Sequence, residues 1–393
     1  MDTQSLSARR RQGIWLSERS GDFEVFKGQV EQATNPADWP MADRISKNVP
    51  VYAGASVRSA AKHVEGRQEL MAEWATAFES GPGIVVIKDA MPDASVIDRA
   101  TEVFECIIDA EKAAGGGGAD HFAKPGANDR VWNALQKHCL ADPENFARYY
   151  ASDAIALASE AWLGRGYQMT AQVNRVNPGG QAQMPHRDYH LGFMTAEQMV
   201  RYPAQIHKVS PLLTLQGAVA HVDMPLESGP TVYLPYSQIF FEGYLAFSRP
   251  EFQDYFAENH VQLPLEKGDA VFFNPALMHG AGNNTSNDIQ RMANLLQVSS
   301  PFGRMMEAVD RAAMVKALYP VLAAGELSAQ EVANAVAASA EGYAFPTNLD
   351  NLPPQGGLAP KTQAEHLVEA LAAGKAAEDW IAFVDEHEAR RQP

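Results

Sequence analysis

The sequence is poor in cysteine. Only Cys106 and Cys139 occur in 393 residues. Two thiols make no disulfide framework, so the fold must rest on a hydrophobic core, and a reduced cytoplasm is the expected compartment. Long apolar runs are also lacking. Nothing approaches the roughly 18 consecutive apolar residues of a membrane-spanning helix. Basic residues are outnumbered, 32 Lys and Arg against 48 Asp and Glu, for a net charge of −16. A field of that sign repels nucleic acid and anionic lipid, so neither is an expected partner. The one early basic cluster, Arg9-Arg10-Arg11, has no apolar stretch after it and reads as a solvated arm rather than a secretory signal. There is no internal repeat. The glycine run Gly115–Gly118 lacks the Lys-Ser/Thr and helix start of a phosphate loop, and reads as a flexible connector.

What is present is an ordinary apolar content, 46%, enough for a sizeable core. The length suits one large domain with additions or two ordinary ones. Residues 1–65 are polar and mixed, and read as short or irregular elements on the surface. Leu70, Trp74, Ala77 and Phe78 recur at helical spacing, predicting a helix over Gly66–Ser80. Ile84–Ile87 reads as a buried strand. Asp93 is placed to cap a helix from Ser95 to about Ala114. The pattern is helical again from Val131 to Leu163. From residue 167 the period changes from 3.6 to 2. Strands are predicted at Tyr167–Val176, Leu212–Val222, Thr231–Leu234, Val261–Leu265, Ala270–Phe273 and Arg291–Val298. Helical period then returns at Met305–Ala324, at Ser328–Glu341 with a capping box, and at Thr362–Glu388. Tyr343–Lys361 reads as a loop. Helices followed by a run of short strands predict a sandwich or barrel with helices outside.

Within the strand region lies Met184-Pro185-His186-Arg187-Asp188-Tyr189-His190. On a strand, side chains two apart share a face. His186 and Asp188 then converge on one point, giving two of the three ligands of the two-histidine, one-carboxylate triad that holds non-haem Fe(II). Of the eleven histidines, His279 stands out by context. A turn at Lys267-Gly268-Asp269 leads into the apolar Val271-Phe272-Phe273, and His279 is followed by glycines that allow close approach. Arg291 opens an apolar strand, where a guanidinium suits the distal carboxylate of a small dicarboxylate better than packing. His190 shares the face of His186 and Asp188 if the strand continues, but a fourth ligand would fill a position that O2 needs, so a supporting or substrate-facing role, or a simple exit from the strand, is expected instead. His207 and His221 read as structural. Tyr189, Phe193 and Gln216 read as core more readily than as pocket.

These residues resemble the phytanoyl-CoA dioxygenase family of Fe(II)/2-oxoglutarate oxygenases over roughly residues 82–300. The resemblance is carried by His186-Arg187-Asp188, Glu227-Ser228-Gly229-Pro230-Thr231 leading to Leu234-Pro235-Tyr236-Ser237, Gly268-Asp269, His279-Gly280 and Arg291. It implies a mainly β protein with flanking helices. The core would be a double-stranded β-helix, a cupin-like jelly roll, carrying a C-terminal helical extension. The implied domains are a surface segment 1–65, an oxygenase domain 66–304 and a helical extension 305–393. That extension either packs on the core or forms a homodimer contact. The resemblance further implies that His186, Asp188 and His279 bind iron and that Arg291 holds the C5 carboxylate of 2-oxoglutarate. Gln172 and Asn174, which share a strand parity, would contact that cosubstrate. With O2 as second cosubstrate, a small organic molecule would be hydroxylated or otherwise oxidised, with release of succinate and CO2. Asp188 points to oxygenation over halogenation, because halogenases of this kind carry Ala or Gly there. Ala281, Ala293 and Gln238 depart from the family pattern. Two other readings of the same residues are a ligand-binding jelly roll without activity and a Zn(II) hydrolase. Thr195–Ser210 is long enough for a lid.

Overall fold

The computed structural model describes residues 13–114, 118–119 and 127–393. The arm at Arg9–Arg11 and the glycine run up to Gly117 lie outside the described residues. Twelve strands are formed: β1 Arg44–Ser46, β2 Val49–Ala53, β3 Ile84–Lys88, β4 Gly118–Ala119, β5 Asn128–Val131, β6 Gln168–Val176, β7 Thr214–Ala220, β8 Val232–Tyr233, β9 Val261–Gln262, β10 Ala270–Phe273, β11 His279–Gly280 and β12 Arg291–Ser299. Nine make one sheet in the order β1-β2-β3-β10-β7-β12-β6-β5-β4, and three make a second, β11-β8-β9. Only β2 and β3 pair in parallel. Every other named pairing is antiparallel.

The period of 2 decides what each face of the large sheet meets. On β6, Met169, Ala171 and Val173 point to one side, joined there by Leu215 and Val219 of β7 and by Leu296 and Val298 of β12. This face packs under helices, including Val64–Glu79, whose Leu70, Trp74, Ala77 and Phe78 are all buried. The opposite face carries Gln172 and Asn174 of β6, Ala218 of β7 and Ala293 of β12. It looks across a cavity of about 750 Å³ at Tyr233 and His279 of the small sheet. The functional face is thus the polar side of the same alternation that builds the core.

The two-sheet core expected of a jelly roll is present, but the protein is not mainly β. The described residues are 46% helix and 15% strand. The small-sheet strands are two residues long, while the far face of the large sheet is sheathed in helices. The segment before residue 65 is not simply a surface layer. β2 joins the large sheet, and its Val49 and Val51 are buried with Ile84 and Val86 of β3. The stretch Val131–Leu163 is three helices, Ala134–Ala141, Pro143–Tyr150 and Asp153–Leu163. Pro143 opens the second of these, with Asp142 capping it, and proline suits a first turn better than a helix interior. The helix expected from Met305 begins at Arg311, where Asp310 accepts from Ala313 N. The last predicted helix breaks at Gly374, whose φ is +60°, into Gln363–Ala372 and Ala377–Arg391. The capping box at Ser328 and Glu331 is formed, and Tyr343–Lys361 contains no helix or strand. Among the described residues no helix is long and apolar enough to cross a membrane.

Candidate metal centre

His186 and His279 face each other across an antiparallel bridge. His186 N–H donates to His279 O at 2.9 Å, and His279 N–H to His186 O at 3.1 Å. Directly opposed residues put their side chains on one face, and the two imidazoles lie 4.5 Å apart, centre to centre. Each ring is held from behind. His186 Nδ1 donates to Met184 O at 2.9 Å and His279 Nδ1 to Leu277 O at 2.8 Å. That assigns the tautomer and turns both Nε2 lone pairs toward the cavity. Phe273 packs edge-on against His279 at 4.8 Å.

Asp188 completes the group. Its backbone N–H donates to Pro275 O at 2.9 Å, and its carboxylate lies 3.6 Å from His186 Nε2 and 3.5 Å from His279 Nε2. One ligand atom from each of the three residues falls within 4.8 Å of the others. Burial opposes ionisation of Asp188, yet the two imidazoles overcome it and hold the carboxyl well below the usual range. Burial likewise opposes a charge on His186, but Asp188 more than offsets it and raises that pKa. His279 goes the other way, lowered by burial and then by His186. Two imidazole lone pairs and an ionised carboxylate aimed at one point form a site that asks for a cation, and the donor set suits a divalent first-row metal with positions left open.

The strand carrying His186 does not continue. Tyr189 has φ +54°, and His190–Phe193 is a turn of 3-10 helix. His190 therefore leaves the face it would share with His186 and Asp188, and it does not line the cavity. The sharing expected of a continued strand is corrected by that turn. Tyr189, Phe193 and Gln216 do line the cavity, against the preference for core. Several other lining residues escaped the sequence reading, Gln297 and Met306 among them. Gln297 has the strand parity of Arg291 and could have been found from it. Met306 sits in an irregular stretch before a helix, and no pattern signals it. His207 and His221 are structural: His207 Nε2 meets Met199 O at 3.2 Å, and His221 is buried behind the sheet between Thr101 and Tyr149.

Arg291 opens β12 inside the same cavity and is 7% exposed. Its Nη1 donates to Ser228 O at 3.2 Å and Gly282 O at 3.4 Å. These carbonyls come from two turns pressed together, where a Cβ on Gly229 would lie 2.3 Å from Asn283 O. That close approach explains the glycines in both motifs. No carboxylate of the described residues forms an ion pair with Arg291, and burial lowers its pKa to about 10. Gln172 and Asn174 both face the cavity, with Gln172 Nε2 at 3.3 Å from Met306 Sδ. Ala281 and Ala293 leave their places in the wall without a hydroxyl. Gln238 instead braces a turn, donating to Gly81 O at 2.8 Å. Gly268-Asp269 is structural too: Asp269 accepts from Lys88 Nζ, from Asp89 N and from Glu266 N.

A family model, phytanoyl-CoA dioxygenase, matches residues 81–293. No curated protein matches the sequence. Among solved structures, the chain is similar to the non-heme alpha-ketoglutarate-dependent epimerase SnoN from nogalamycin biosynthesis, at 19% identity and a TM-score of 0.42 over 60% of this chain and 84% of that one. It is also similar to EctD from S. alaskensis with bound Fe, at 18% identity and 0.44 over 60% and 79%. HygX from Streptomyces hygroscopicus, with nickel and 2-oxoglutarate bound, aligns at 15% identity and 0.38 over 58% and 87%.

Proposed function

The chain belongs to the phytanoyl-CoA dioxygenase family, and from that premise we propose that it is an Fe(II)- and 2-oxoglutarate-dependent oxygenase acting on a small organic molecule. One observation carries the reading. His186, Asp188 and His279 converge on one point of a cavity whose wall also holds the buried, acid-free guanidinium of Arg291.

The three side chains would hold Fe(II). Arg291 would take the distal carboxylate of 2-oxoglutarate, with Gln172 and Asn174 on the same wall as its neutral polar contacts. The bound iron, with 2-oxoglutarate and O2, supplies the oxidising power, and 2-oxoglutarate leaves as succinate and CO2. The protein's own part is placement and exclusion of water. Backbone carbonyls lock both imidazoles, the sheet face shields the cosubstrate end, and Tyr189 and Phe193 flank the outer end. The cavity exceeds what a five-carbon diacid fills, and its volume is that of sites for drug-sized molecules. The mouth residues Gln181, Gln183, Met184 and Phe193 are uncharged. Among the described residues this part of the wall carries no cation for the phosphates of an acyl-CoA, and the cations that line the cavity are Arg130 and Arg291. Asp188 favours hydroxylation or a related oxidation over halogenation.

The unpaired cation of Arg291 also separates this reading from a Zn(II) hydrolase, in which it has no task. The test is direct. Anaerobic addition of Fe(II) and 2-oxoglutarate should produce a weak visible charge-transfer band, and O2 should then release succinate. Absence of both, or turnover with Zn(II) in the absence of 2-oxoglutarate and O2, would sink the proposal.

A further inference from the structure

Asp188 has a partner that three-ligand metal binding does not by itself require. Gln216 stands on β7, faces the cavity and is 4% exposed. Its Nε2 donates to Asp188 Oδ2 at 2.6 Å. The other end of the same carboxamide, Oε1, is buried and has no hydrogen-bond partner among the described residues. Flipping the amide would set oxygen against oxygen, so Asp188 dictates its orientation. Leaving a buried carbonyl unpaired costs stability. Leucine would fill the place beside Phe273 without that cost. A polar residue retained at such a position marks a task for its donor end.

The neighbours repeat the arrangement. Gln216 lies opposite Gln297 of β12, and Gln297 Oε1 accepts from Tyr189 Oη at 2.8 Å. Two adjacent glutamines on the sheet thus hold consecutive residues, Asp188 and Tyr189, of a segment bridged to the small sheet at His186. The backbone of Asp188 is tied as well, its carbonyl accepting from Tyr244 Oη at 3.0 Å.

Both oxygens of Asp188 face the site, Oδ1 at 3.6 Å from His186 Nε2 and Oδ2 at 3.5 Å from His279 Nε2. We propose that Gln216 is a positioning residue of the metal centre: its amide engages Oδ2 of Asp188 and leaves Oδ1 as the oxygen without a donor, available to a cation. The inference rests on the metal-binding reading given above. A carboxylate with both oxygens free can bind a cation through one or both. Occupying one of them with a strong, charge-assisted hydrogen bond restrains that choice and the rotation of the group. It keeps positions open for cosubstrate and O2.

The test uses the full-length protein, freed of metal by chelation and titrated with Co(II), whose visible bands report coordination. Wild type is compared with Gln216→Leu and Gln216→Met, which fill the space without a donor, and thermal melting of the metal-free proteins checks that each is folded. The expected result is Co(II) binding weaker by roughly 10–100-fold, the usual effect of losing a partner of a metal ligand, with a shifted visible spectrum. A residue that only fills space would change neither. Wild-type affinity and wild-type bands in a folded variant overturn the proposal, and if Leu does not fold, Met decides. Failure of the wild-type protein to bind Co(II) would instead overturn the metal-binding reading, and this inference with it.

Discussion

Arg291 carries a charge that the described protein does not neutralise. Burial lowers its pKa to about 10, so it remains a cation at neutral pH. Removing one partner of a buried charged pair typically costs 2–5 kcal/mol. Arg291→Gln should therefore raise the KM for 2-oxoglutarate by about 30-fold or more, read by succinate release, while Co(II) affinity without cosubstrate stays at the wild-type value. An unchanged KM would remove Arg291 from cosubstrate binding. Asp188→Asn tests the other charge. It removes the anion between His186 and His279, and the Co(II) spectrum should be lost at concentrations that saturate wild type. These residues were legible in the sequence for different reasons. His186 and Asp188 were found by strand parity, and the structure supports their convergence although the strand stops at the bridge. Parity alone leaves His190 between a place beside the site and a simple exit from the strand, and the positive φ of Tyr189 decides for the exit. Parity along β12 holds Gln297 as well as Arg291. Met306 was beyond reach, since an irregular stretch has no period to read.

The elements behind the site hold a second set of buried polar groups. His138, on the helix Ala134–Ala141, pairs its Nε2 with Asn145 Oδ1 at 2.8 Å. His221, just after β7, is held by Thr101 Oγ1 at 2.8 Å and Tyr149 Oη at 2.9 Å. Burial drives the pKa of His138 down to about 4 and that of His221 down to about 3. In the unfolded chain both return to about 6.5. Between these values the unfolded state binds more protons than the native state, so stability is full above about 6.5 and falls as pH drops through that window. Each histidine contributes at most about 1.4 kcal/mol per pH unit. The urea midpoint should fall between pH 7 and pH 5, and His138→Gln should make the fall shallower, isolating this group from others that titrate nearby. An identical slope in the variant would refute the assignment. Element boundaries were legible where sequence period and burial agree. β6, β10 and β12 alternate or run apolar and were placed to within one residue. β5 was not anticipated: Asn128-Asp129-Arg130 has no alternation to declare a strand, and its last residue, Val131, reads as the start of a helix. Pro143 in Val131–Leu163 and Gly374 in the last helix were visible breakers whose effect was underweighted.

At the scale of the whole molecule, the C-terminal helices do not stand apart from the sheet. Met314, Val315, Leu318, Leu322, Trp380 and Val384 belong to the same buried cluster as Met169 of β6 and Leu296 of β12. Arg311 Nη2 donates to Met169 O at 2.9 Å, and its Nη1 to Ala338 O at 3.3 Å, tying the start of β6 to the helix Ala329–Ser339. The change of period near residue 305 therefore marks a change of element type, while the packing continues across it. Fully burying an aliphatic or aromatic side chain is worth about 1.5–3 kcal/mol. Losing six such side chains removes about as much as the whole net stability of a typical domain, roughly 5–15 kcal/mol. A chain ending at residue 304, with every candidate metal ligand retained, should consequently fail to fold: it should show no cooperative melting transition and bind no Co(II). The full chain should unfold in one calorimetric transition that moves upward when Co(II) is added, because a ligand bound only by the native state stabilises all that unfolds with it. A cooperative, metal-binding 304-residue chain would show instead that the oxygenase core is complete without these helices, and their packing would then have to be explained by substrate enclosure or assembly.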